Sequence, residues 1–133
     1  VTEACLPGYV PYPENDRLLP VGKIVLKMSS THTCPIITGV VEGTENAVYY
    51  DDGGKISRFA VPNADGVFHG SGDVFAAAFT GCLARGKDVG TSVALASEFT
   101  TNAIFRTAKA GDDRRYGIRF EEEIFSFLRK LNA

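Results

Sequence analysis

The run His69-Gly70-Ser71-Gly72-Asp73 sets two glycines and a hydroxyl residue directly before an acid, and the apolar stretch Val74-Phe75-Ala76-Ala77-Ala78-Phe79 comes straight after it. The first turn of a helix carries backbone N–H groups without intrahelical acceptors and the positive end of the macrodipole. Glycines let a ligand approach that backbone and let the chain take positive φ. A glycine-rich loop opening onto a helix is therefore an anion site, for phosphate above all. A phosphate cradle by itself does not explain Asp73. A carboxylate repels a phosphate unless it has a task there, and the task open to it is taking a proton from a hydroxyl that attacks a phosphoryl group. The plainer reading is a glycine-rich turn in which Asp73 complements the helix dipole. Two other phosphate motifs do not fit. No Gly-Lys-Ser/Thr comes after the glycines, so this is not a nucleotide P-loop. The third glycine and downstream acid of a dinucleotide fingerprint are not in place.

Elements on both sides must position this run. Thr2–Leu6 suits a short helical turn, and residues 7–20, with Pro7, Pro11, Pro13, Pro20 and Gly8, suit a loop. Val21, Ile24, Val25 and Met28 fall at helical spacing and predict a helix over Val21–Ser30. Cys34–Val41 is a continuous apolar run rich in β-branched residues, which predicts a buried strand. Ala47–Tyr50 and Ile56–Val61 flank Asp51-Asp52-Gly53-Gly54 and predict a hairpin. A loop over residues 62–72 leads into a buried helix over Asp73–Arg85, which Gly86 ends. A second helix spans Val89–Lys109, with Val93, Ala94, Ala96, Phe99, Ala103 and Ile104 on one side. Gly111–Gly117 reads as a charged loop, and Phe120–Leu131 as an amphipathic helix facing inward with Phe120, Ile124, Phe127, Leu128 and Leu131. Strands leading into a helix-rich second half predict an α/β architecture. A glycine-rich strand-to-helix connection there belongs at the carboxyl edge of the sheet, where such folds bind ligands.

Bulk properties narrow the function further. A chain of 133 residues, 44% apolar and 23% charged, can build one compact core. The net charge is −2 and no Lys/Arg run occurs, so nothing offers a field for nucleic acid. No apolar run is long enough for a membrane span. Cys5, Cys34 and Cys82 are odd in number and irregularly spaced. That predicts reduced thiols and a cytoplasmic setting rather than a disulfide framework, and no zinc spacing occurs. The start Val1-Thr2-Glu3-Ala4-Cys5 has neither Met nor a signal pattern and reads as the middle of a longer protein. Cys82 and the pair Tyr49 and Tyr50 suit core packing. His32 suits a connector, and His69 suits either a phosphate contact or a loop histidine held by backbone. Asp112-Asp113-Arg114-Arg115 suits a solvated loop, and Glu121–Glu123 suits a helix start with Arg129 and Lys130 at the far end.

The segment Pro62 to Leu83, PNADGVFHGSGDVFAAAFTGCL, resembles the second signature of the ribokinase-like superfamily of small-molecule kinases. There a Gly-Ser/Thr-Gly-Asp stretch begins a helix lined with small residues. Val1-Thr2-Glu3-Ala4 looks like the tail of that superfamily's Asn-x-x-Glu motif. Thr107-Ala108-Lys109-Ala110-Gly111 and Arg115-Tyr116-Gly117-Ile118-Arg119-Phe120-Glu121 look like the end of its pyridoxal/pyridoxamine kinase branch. The resemblance runs the length of the chain and is thinnest over residues 6–33. It implies the C-terminal portion of a three-layer α/β/α ribokinase-like fold, one partial domain over residues 1–133, with an incomplete sheet, a β-hairpin and C-terminal helices.

Carried over residue by residue, the resemblance implies that Asp73 is the general base for a substrate hydroxymethyl. Gly70, Ser71 and Gly72, with the Asp73 N–H, form the anion hole for the γ-phosphoryl of ATP. Glu3 positions Mg²⁺ through water and the nucleotide phosphates. Thr38 and Gly39, at the end of a strand Ile36–Thr38, border those phosphates. Arg58, Phe59, Ala60 and Val61, with the loop Pro62–Phe68, run past adenine and ribose. The expected reaction is phosphorylation of the 5′-hydroxymethyl of pyridoxal, pyridoxine or pyridoxamine by a homodimeric enzyme. Ser71 stands where Thr is common, which keeps the hydroxyl. The Asn of Asn-x-x-Glu and the part of the fold that supplies most of the substrate pocket lie outside this chain, so the chain alone is expected to be inactive. The alternatives are a hydroxymethylpyrimidine, sugar or nucleoside kinase on the same fold, or a non-catalytic nucleotide-binding or dimerising fragment.

Overall fold

The computed structural model describes Ile24, Val25, Met28, residues 35–111 and residues 114–133. The expectations for Thr2–Leu6, residues 7–20, Glu3, Cys5, His32, Cys34, Asp112 and Asp113 lie outside those residues. Of the helix expected over Val21–Ser30, Ile24, Val25 and Met28 are described, and all three are helical. From residue 35 onward the described residues form three strands, β1 (Ile36–Glu42), β2 (Glu45–Asp52) and β3 (Lys55–Pro62), and three α-helices. The helices are α1 (Ser71–Ala84), α2 (Val89–Ala110) and α3 (Ile124–Leu131). Short 3₁₀ turns stand at Arg114–Tyr116 and Glu121–Glu123.

The strands make one sheet in the order β1-β2-β3, each joined to the next by a two-residue turn. The β2–β3 turn is Gly53-Gly54, with φ of 62° and 92°. Two successive positive φ values give the turn whose twist matches the strands it joins. The Asp51 carboxylate accepts the Gly54 N–H at 2.7 Å and closes it. β2 is the central strand and the best covered, with Ala47, Val48, Tyr49 and Tyr50 all buried. Among the described residues β1 is an edge strand, and it is only half-buried, with Thr38, Gly39 and Val41 exposed. Its apolar run therefore reflects β propensity, not burial on both faces. Within β1, Gly39 has φ 73°, so the strand bends there and continues to Glu42. Thr38 and Gly39 consequently lie inside the strand, not at the end of a strand Ile36–Thr38.

The chain divides into two compact units. The first holds β1 up to Val40 and Ala47–Ala60, with a core of Val25, Ala47 and Tyr49 against which Ile37, Val40, Ile56 and Ala60 pack. The second holds Val41–Asn46 and Val61–Ala133. In it the Asn63 N–H donates to the Thr44 carbonyl at 2.9 Å, and the Asn46 side-chain amide donates to Asn63 Oδ1 at 3.3 Å.

The helices of the second unit keep to their expected positions with revised ends. α1 begins at Ser71, two residues before Asp73, because Gly70 takes the N-cap position. Its buried face is narrow, comprising Phe75, Ala78 and Cys82, while Ala76, Ala77 and Leu83 are exposed. It ends where the Arg85, Gly86 and Lys87 amides return to carbonyls of the last turn, with Gly86 at φ 80°. α2 packs on both α1 and α3. Its N-cap Asp88 accepts the Thr91 N–H at 2.7 Å, and Gly111 at φ 70° closes its other end. The Phe99 and Phe127 rings meet at 4.9 Å and join α2 to α3. The expected helix over Phe120–Leu131 is α-helical only from Ile124, since the three glutamates form a tighter turn before it.

Candidate active site

Gly70 is the residue on which the site is built. Its φ of 82° and ψ of −4° put it in the left-handed region, and it turns the chain from the loop into α1. A side chain is disfavoured in that conformation. The Ser71 N–H reaches the Phe68 carbonyl at 3.4 Å, and the Val74 N–H reaches the Gly70 carbonyl at 3.0 Å. Between them the Gly72 and Asp73 amides precede the first residue whose acceptor lies in the helix. Gly72 and Asp73 are exposed and Ser71 is half-buried. A Cβ built on Gly70 or Gly72 would meet nothing within 4 Å, so the space over the helix start is open. Two amides without a partner among the described residues, at the positive end of a 14-residue helix, are the features of a helix-terminus anion cradle.

The Asp73 carboxylate stands in the first turn of α1 and, among the described residues, has no hydrogen-bond or ion-pair partner. An exposed acid without a partner is available to a ligand. Cys82, two turns further along, is the opposite case. It is fully buried, and desolvation pushes its thiol up while the Lys87 ammonium pulls it down. It is a packing residue.

The cradle loop is held from below. Phe68, 8% exposed, sits in a core with Ala103 of α2 and Ile118, and Ala64, Val74, Ile104 and Ala108 pack around them. The Thr107 hydroxyl, fully buried, donates to the Ala103 carbonyl at 2.8 Å and accepts the Arg119 N–H at 2.7 Å. Further along, Arg106 Nε and Nη2 donate to Glu123 Oε1 at 2.9 and 2.6 Å, and Nη1 donates to Glu122 Oε2 at 2.8 Å. These bonds, led by those to Glu123, hold the Arg106 pKa above its ordinary value. Arg106 does not stand out in the sequence, and Thr107 enters there only within the Thr107–Gly111 likeness, with no role of its own. The available signal was a threonine on the apolar stripe of α2, four residues after Ala103. Phe68 was more visible, as a lone aromatic in a glycine-rich loop.

Of the predicted site residues, Gly70, Ser71, Gly72 and Asp73 come together in one turn. Thr38 and Gly39 are exposed on β1. On β3, Arg58 is exposed, and Phe59, Ala60 and Val61 are half-buried. Thr38, Gly39, Arg58, Phe59 and Ala60 belong to the first unit, and Val61 and the cradle to the second. His69 is exposed beside the cradle. Glu3, the residue assigned to Mg²⁺, lies outside the described residues, and among those described no group of three or more His, Cys, Asp or Glu could hold a metal. Among the described residues no helix is long and apolar enough to cross a membrane.

The fold is similar to that of two solved structures. The crystal structure of pyridoxal kinase from Lactobacillus plantarum is similar at a TM-score of 0.75 and 21% identity, over 84% of this chain and 42% of that one. That of a "putative phosphomethylpyrimidine kinase" from Bacteroides thetaiotaomicron is similar at a TM-score of 0.70 and 25% identity, over 77% of this chain and 36% of that one. The chain thus spans about two fifths of the length of the structures it resembles, and its fold is the α/β ribokinase-like one. Comparison with curated proteins finds no match. The family model for phosphomethylpyrimidine kinase matches residues 15–117, a stretch that takes in all three strands, the whole cradle and both long helices. The chain belongs to the phosphomethylpyrimidine kinase family.

Proposed function

We propose that this chain supplies the phosphoryl-transfer end of an ATP-dependent kinase acting on a hydroxymethyl group of a small heteroaromatic ring. The observation that carries the reading is the pairing of the open Gly72 and Asp73 amides with an unpartnered Asp73 carboxylate on the same helical turn. The amides and the dipole of α1 receive the γ-phosphoryl oxygens, whose charge is spread in the transition state. The substrate oxygen attacks the γ-phosphorus, the bond to the bridging oxygen of ADP breaks, and the Asp73 carboxylate takes the hydroxyl proton. Mg²⁺ bound with the nucleotide supplies charge neutralisation on the phosphates. Its assignment to Glu3 rests on the Val1–Ala4 resemblance alone, and no step of this scheme passes through it. Thr38, Gly39 and the β3 residues Arg58, Phe59, Ala60 and Val61 are assigned to the nucleotide on the superfamily resemblance alone. A homodimeric, cytoplasmic enzyme belongs to the same reading.

Two substrate classes share this chemistry. The C-terminal likeness at Thr107–Gly111 and Arg115–Glu121 supports pyridoxal, pyridoxine and pyridoxamine. The family match over residues 15–117 supports a hydroxymethylpyrimidine. Initial rates of the full-length enzyme with each compound, and with ribose and a nucleoside, decide between them. The reading expects ATP-dependent phosphorylation of a hydroxymethyl heteroaromatic with ribose and nucleoside turned over far more slowly. A preference for the sugar or nucleoside contradicts it.

A further inference from the structure

We infer that the segment Gly117–Arg119, locked to α2 through Thr107, is the buttress that sets the position of the anion cradle, and that Thr107 is a positioning residue for phosphoryl transfer. The inference rests on the kinase reading of the cradle and adds to it a device outside the cradle motif.

The contacts form a short chain of fixed parts. Thr107 is fully buried on α2 and uses its hydroxyl twice, donating to Ala103 and accepting the Arg119 N–H. A helical threonine that bonds only to the carbonyl four residues back is ordinary, as at Thr100, whose hydroxyl donates to Ala96 at 2.8 Å. Thr107 differs because its oxygen also receives a backbone amide twelve residues later in the chain. That bond fixes Ile118, which packs with Ala103 on Phe68. One residue earlier, Gly117 has φ 93°, and a Cβ built there would stand 4.0 Å from the His69 carbonyl oxygen. The Phe68 carbonyl in turn receives the Ser71 N–H. Thr107 thus leads through Arg119 and Ile118 to Phe68, whose carbonyl meets the Ser71 N–H beside Gly70, and Gly117 runs close to the His69 backbone. Small displacements of a preorganised donor cost large factors in rate, because the charge it meets develops only in the transition state.

The test is steady-state kinetics of the full-length enzyme with Thr107→Val, which keeps the shape and removes the hydroxyl, and Thr107→Ser, which restores it. Thr107→Val is expected to lower kcat about tenfold or more with KM for ATP changed less than about threefold, the signature of a lost transition-state contact. Thr107→Ser is expected to stay within about twofold of the parent. Leu131→Ala, in buried packing at the end of α3, serves as the stability control and keeps its kcat well below its melting temperature. If Thr107→Val does not fold, Gly117→Ala replaces it, since that backbone conformation strains any side chain and displaces the same segment. The same kinetic pattern is then expected. Parental kcat in the folded variant, or an equal loss in Leu131→Ala, overturns the buttress. Asp73→Asn in the same assay keeps the two claims apart. If Asp73→Asn is inactive while Thr107→Val is fully active, the buttress alone fails. If Asp73→Asn remains active, the reading of the cradle and its acid as the phosphoryl-transfer site fails beneath it.

Discussion

At the scale of single residues, the site depends on one backbone conformation and one side chain. Gly70 can occupy its left-handed position without a steric penalty, and any other L-residue meets a cost of roughly 1–2 kcal/mol there. Gly70→Ala is therefore expected to destabilise the full-length enzyme by about that amount. Because relief of the strain turns the Gly72 and Asp73 amides, it should also lower kcat by more than it raises KM for ATP. Denaturant unfolding and steady-state kinetics check the two effects. The place of Asp73 in the first turn of a helix was legible in the sequence, from the glycines before it and the apolar run after it. Cys82 was legible as packing, since it lies on the apolar side of that helix. Thr107 was not. A hydroxyl on a helix is ambiguous until its partner is known, and its partner is a backbone amide brought near only by the tertiary fold. Ser92 and Ser97, also buried on α2, have hydroxyls with no partner among the described residues, so residue type alone does not separate the two cases.

At the scale of elements, the hairpin and the two long helices obey local rules. Gly53-Gly54 forces a tight turn, and Asp88 and Gly111 mark the ends of α2. The Thr91 hydrogen bonds hold the Asp88 carboxyl below its usual range, against a small opposing effect of burial. A depressed folded-state value means the cap contributes fully above the ordinary aspartate value near 3.9 and loses its contribution as pH falls through the lower folded one. Asp88→Ala is thus expected to lower the melting temperature at neutral pH, and the gap from the parent should narrow as the pH is taken well below the ordinary aspartate value. A gap that stays constant over that range contradicts the cap. Two boundaries escaped the sequence for physical reasons. Glu121–Glu123 continue the helical pattern of Ile124–Leu131, yet they turn more tightly where Glu122 and Glu123 meet Arg106 on α2. β1 has the composition of a buried strand but lies at a sheet edge, which no local pattern encodes.

At the scale of the whole molecule, the family match and the solved structures agree on a ribokinase-like kinase fold, of which this chain spans about two fifths. The assignment of fold was readable from the Pro62–Leu83 segment because the motif, its helix and its small residues act together. The substrate was not readable, since the proposed cradle would serve any hydroxyl brought to Asp73. Of the proposed nucleotide residues, Thr38, Gly39, Arg58, Phe59 and Ala60 belong to one compact unit and Val61 to the other, with the cradle, so sequence spacing could not relate them. The central claim, that the acid in the cradle is the proton acceptor of a phosphoryl transfer, is tested most directly by the turnover of Asp73→Asn in the full-length enzyme. The substitution keeps the size and the backbone amide and removes the base. The account predicts kcat lowered by a factor on the order of 10²–10⁴, as for loss of a general base, with ATP still bound near the parental Kd. Turnover near the parental rate contradicts it.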